Sequence, residues 1–138
     1  PEFFEEVVRG AHDCLEGSGH ATAANELHQA LSDLSRRPEP DVTGAIQHAM
    51  AALECVARDI VGDNKMTLGE LINRHRGLFP KPLDQAIEKI WGYTSECGRH
   101  LKEGGSPLFQ EAELVVGLSS AVCHYLIRRL TTDTLRQF

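Results

Sequence analysis

The segment "DVTGAIQHAMAALECVARDIV", residues 41–61, constrains the fold more than any other part of the chain. Val42, Ile46, Ala49, Met50, Leu53, Val56, Ala57 and Ile60 recur at three- and four-residue steps. That spacing draws one apolar stripe along an amphipathic helix of about five turns. Alanine is abundant in the stripe, so neighbouring helices can approach closely. Asp41 stands where an N-cap belongs and Gly62 near the far end.

The same period runs through most of the chain. Phe4, Val7, Val8, Ala11, Cys14 and Leu15 form a first stripe, broken by "EGSG". Ala24, Leu27, Leu31 and Leu34 form a second, which stops before the two prolines of "RRPEPD". "TLGE" has the form of a capping box, with Thr67 and Glu70 opening a short helix that ends near His75. Pro80 and Pro82 precede a fifth helix with Leu83, Ile87, Ile90, Trp91 and Thr94 on one face. After "EGGSP" a last helix starts near Leu108, and its expected core stripe is Leu114, Leu118, Ala121, Val122, Tyr125, Leu126 and Leu130. No segment has the two-residue period of a strand. The expected fold is therefore all-α, an up-and-down bundle of about six helices.

The chain has 138 residues, enough to bury one core without disulfide or metal staples. Residues 4–40 are expected to pack as a helical pair against a core of residues 41–131, with 132–138 as a tail. The opening "PEF" (residues 1–3) reads as a cloning remnant, and the rest as a piece of a larger protein. A net charge of −6 argues against general DNA binding, which needs a basic surface. The charge is uneven. Residues 1–63 hold 12 acidic and 4 basic side chains, and residues 64–138 hold 8 acidic and 10 basic. A local basic surface in the second half can therefore meet RNA. Cys14, Cys55, Cys97 and Cys123 lie in apolar helical contexts without a C-x-x-C pair, as reduced core thiols do. No apolar run reaches membrane-span length. The expected setting is cytoplasmic, with no membrane partner and no cofactor.

Three stretches resemble a known family when taken in order: "AIQHAMAALECVARDIVGDNKMTLGELI", "AIEKIWGYTSECGRHLKEGG" and "EAELVVGLSSAVCHYLIRRL". Together they resemble the HEPN superfamily, in particular the HEPN-like C-terminal domains of bacterial abortive-infection proteins. The resemblance covers residues 42–130 and implies a helical bundle that commonly forms homodimers. It also implies membership of a larger phage-defence or stress-defence protein, with a partner domain in the same or a neighbouring chain. Many members are metal-independent ribonucleases that use an Arg followed, four to six residues later, by a His. Here the positions at that spacing after Arg99 hold Gly104, Gly105 and Ser106. The resemblance thus implies an interaction or dimerisation module without catalysis of its own. Its alternative is a dimeric ribonuclease with Arg99 and His100 at its centre, Arg holding phosphate and His moving a proton.

Arg99 and His100 sit 100° apart on a helix, so they cannot both face inward. Either can cap the negative end of its helix. Glu54 stands beside the apolar stripe, where a carboxylate needs a cation. Glu54 and Arg99 are accordingly the expected structural tie between two core helices. Arg74, Arg76 and Lys102 are the candidate RNA contacts, although a solvated helix end is the leading reading of the Arg74–Arg76 cluster. Trp91 and Tyr93 are expected in core or interface. Cys97-x-x-His100 and Cys123-His124 are each too few and too divergent for zinc, so no metal site is expected.

Overall fold

The computed structural model describes the backbone of residues 2–102 and 107–136, with side chains for 2–75, 77–95 and 107–129. Six α-helices and one 3-10 turn follow one another, with no strand among the described residues. They are α1 (Glu2–Gly17), α2 (Ala21–Ser35), α3 (Val42–Val61), α4 (Leu68–Arg74), the turn Arg76–Leu78, α5 (Leu83–Lys102) and α6 (Phe109–Arg136). The all-α bundle expected from the periodicity is the fold observed. α6 runs through Arg136, past the residue 131 boundary expected for the core.

α1, α2, α3 and α6 pack against one another, and α4 and α5 lie against α3. The central helix is α3. Ala45, Ala49, Ala52 and Ala57 are fully buried on it, so α2 and α6 come close to its backbone. Ile46, Leu53 and Val56 fill the spaces between these contacts. Leu15 from α1 and Leu27 from α2 are buried in the same core.

The ends of α3 follow local chemistry. The Asp41 carboxylate accepts the Gly44 N–H at 2.9 Å, an N-cap bond that satisfies one free donor. Gly44 itself is forced. A Cβ there would lie 2.9 Å from the Asp33 carboxylate of α2 and closer still to Asp41. At the other end Gly62 has φ +77°, a left-handed cap that most residues disfavour, and its N–H reaches the Arg58 carbonyl at 2.9 Å. Thr67 caps α4 by accepting the Glu70 N–H at 3.3 Å, the expected first half of the capping box.

α6 departs from expectation. Its buried face is Ala112, Val115, Val116, Ser119, Ser120, Cys123, Leu126 and Ile127. Of the expected stripe, Leu126 is buried and Val122 half-buried, but Leu114, Leu118, Ala121 and Tyr125 face outward. Half of the inner face is small, at Ala112, Ser119, Ser120 and Cys123, where neighbouring helices run close, and Val115, Val116, Leu126 and Ile127 supply its bulk. The Phe4 ring lies within 3.5 Å of where a Cβ on Gly117 would stand. Ser120 returns its hydroxyl to the Val116 carbonyl at 2.8 Å, and Ser119 donates to the Met50 sulfur at 3.5 Å. Both hydroxyls are thus accommodated in an apolar setting.

Candidate self-association surface

The outer face of α6 carries Leu114, Leu118, Ala121 and Tyr125, at steps of four, three and four. At 100° per residue these four fall within a sector about 60° wide, directly opposite the buried face. Leu114 is 61% exposed, Leu118 38% and Tyr125 36%. The spacing is that of a two-helix seam, in which apolar residues recur every 3.5 residues on average. A helix that is apolar on two opposite faces has a second surface to bury.

Both ends of this face are held to the body of the bundle. Near the start, the Glu111 carboxylate accepts the Tyr93 hydroxyl of α5 at 2.9 Å and the Leu108 N–H at 3.1 Å. Tyr93 is half-buried against the core, as expected, and so is Trp91. Near the other end, the Arg129 guanidinium donates to the Leu78 carbonyl at 2.7 Å. The charges flanking the face are acidic first, at Glu111, and basic last, at Arg128 and Arg129.

The expected Glu54–Arg99 tie is only half visible. Arg99, His100, Lys102 and Arg76 have side chains outside the described residues. Glu54 is described, and its carboxylate is already engaged. One oxygen pairs with Arg58, one turn along α3, and the other accepts the Leu68 N–H at 3.3 Å. Arg58 also donates through Nε to the Met66 carbonyl at 2.6 Å. The Glu54–Arg58 pair therefore links the end of α3 to the following loop and to the start of α4. Arg74 is exposed at the end of α4, as a solvated helix terminus would be.

Cys14, Cys55 and Cys123 are free thiols. Burial holds Cys123 protonated far above the usual thiol range. Burial, with Asp59 nearby, also raises Cys55. Both are poor nucleophiles, because the thiolate is the reactive form. Cys97 lies outside the described side chains.

Two histidines, His20 just before α2 and His48 on α3, make long-range pairs. His20 pairs with Asp59 at 2.9 Å and His48 with Asp33 at 2.6 Å. These contacts join α1–α2 and α2 to α3 across 39 and 15 residues, which no local spacing reveals. No helix among the described residues is long and apolar enough to cross a membrane. No family model matches the chain, and no curated protein or solved structure matches it either.

Proposed function

We propose that this chain is a non-catalytic self-association module of HEPN-like type, in which two copies meet through the outer face of α6. The observation that carries this reading is the seam of Leu114, Leu118, Ala121 and Tyr125, which stays partly open to solvent among the described residues, with Leu114 the most exposed. A two-fold contact between identical helices is self-complementary, so each residue meets its counterpart in both directions. With the axis between positions 118 and 121, Leu114 faces Tyr125 of the second copy, and Leu118 faces Ala121. The helices then run antiparallel. The acidic start of one α6 lies beside the basic end of the other, whereas a parallel pair would set like charges together. The resemblance to HEPN domains supports the same reading, since such domains commonly dimerise. The missing Arg-to-His spacing supports a role without RNA cleavage. On that resemblance the module belongs to a larger bacterial phage-defence or stress-defence protein and brings two of its copies together.

Four seam positions over about 17 Å of helix cover on the order of 400 Å² per copy. A standard interface covers about 800 Å² per partner, so a dimer held by this seam alone is smaller than standard and is expected to be weak. Sedimentation velocity across about 5 to 500 μM should show a monomer giving way to a dimer. Leu118→Glu should hold the chain monomeric throughout while leaving its helical circular dichroism unchanged. A wild-type chain that stays monomeric over the whole range refutes the proposal.

A further inference from the structure

A second feature lies away from α6, between α1 and α2. His12 and Glu16 stand one helical turn apart on α1, with Asp13 next to His12. The ligand atoms of these three residues all lie within 4.8 Å of one another. His12 Nδ1 is 3.2 Å from the Asp13 carboxylate and 3.7 Å from that of Glu16. Across the groove, α2 presents His28, whose ring centre is 6.2 Å from that of His12, with the planes tilted by 52°. Ala21 and Ala24 line the same groove, and their small side chains leave an open cavity of about 350 Å³. His12, Glu16, Asn25 and His28 line it.

Two donor atoms on one tetrahedral ion are about 3.4 Å apart, and two bound imidazoles have ring centres roughly 5–6 Å apart. The His12–Glu16 separation is close to the first value. The His12–His28 ring separation of 6.2 Å exceeds the second, and His28 stands outside the group whose ligand atoms lie within 4.8 Å, so its exposed ring has to turn inward to complete the set. A mixed imidazole–carboxylate set selects zinc and its transition-metal neighbours over magnesium or calcium, which prefer all-oxygen ligands. Two helices supply the donors, so an ion here would also clasp α1 to α2.

We propose that His12, Glu16 and His28, with Asp13 beside them, form a surface site for one divalent transition-metal ion of the zinc class. The site is independent of the α6 seam. The test uses the untagged chain and Zn²⁺ alone, titrated by calorimetry, with Co²⁺ as a spectroscopic probe. One equivalent should bind at micromolar affinity. His12→Ala and His28→Ala should each weaken binding at least tenfold. His48→Ala, which removes a histidine paired elsewhere, should leave it unchanged. Bound Co²⁺ should show the ligand-field bands of nitrogen and oxygen donors without thiolate charge transfer. Absence of one-equivalent binding, equal affinity in the His28→Ala variant, or a thiolate band would each overturn the assignment. Circular dichroism on every variant identifies any loss of fold, and the Co²⁺ spectrum of the wild type decides the donor set without any substitution.

Discussion

Replacing Glu54 tests how α4 is held to the bundle. Its carboxylate is 18% exposed and engages the Arg58 guanidinium, itself 30% exposed, and the Leu68 N–H at the start of α4. In Glu54→Ala two costs arise. Leu68 is fully buried, and an unsatisfied buried N–H costs about 1–3 kcal/mol. The ion pair is partly open to water, so its loss adds no more than about 1 kcal/mol. The sum is about 1–4 kcal/mol. Glu54→Gln keeps an acceptor for Leu68 and gives up only the charge, so it should lose less than about 1 kcal/mol. Arg58→Ala frees the Met66 carbonyl as well as Glu54, and should fall between, at about 1–2 kcal/mol. Urea melts of the three variants measure these differences directly, and amide exchange at Leu68 reports the local effect. If Glu54→Ala loses less than about 0.5 kcal/mol, or if Gln loses as much as Ala, the role assigned to the carboxylate is wrong.

Other expectations concern the core and the caps. Cys123 keeps its proton in the folded chain well above the ordinary thiol value of 9.0, while the unfolded chain releases it near that value. Below that pH neither state is ionised at this site, so no stability is lost. Above it the unfolded state binds fewer protons, and stability should fall by up to about 1.4 kcal/mol per pH unit. Denaturant melts from pH 8 upward should show a shallower decline for Cys123→Ala than for wild type, and parallel curves would contradict the burial argument. Gly44→Ala, which in an open helix would stabilise by up to about 1 kcal/mol, should instead cost about 1–2 kcal/mol, because the new Cβ displaces the Asp41 cap and meets Asp33. A raised melting temperature for that variant would show that both carboxylates can move aside.

Where pattern and packing agree, the sequence was legible. The α3 stripe, its Asp41 and Gly62 ends, and the Thr67 cap are local features, each settled within four or five residues. The faces of α6 were misjudged for a physical reason. Leu114, Leu118 and Tyr125 are the larger apolar residues, so hydrophobicity assigned them to the core. The space between α1, α3 and α6 instead admits Ala112, Ser119, Ser120 and Cys123. Size is visible in a sequence, but the room left by neighbouring helices is not. Glu54 was expected to pair with Arg99, whose side chain lies outside the described residues; Arg58 pairs with it from the same helix, one turn away. The histidine pairs and the His12–His28 groove depend on which helices become neighbours, so no single segment announces them.

In the proposed dimer two copies meet along the outer face of α6, in opposite directions. A photo-crosslinking amino acid placed at position 114 reads that arrangement most directly. Irradiated above the dissociation constant and mapped by mass spectrometry, it should join the peptide containing Tyr125 of a second chain, and Leu118→Glu should abolish the product. Crosslinks confined to one chain, or joining position 114 to position 114 of the other copy, would contradict it.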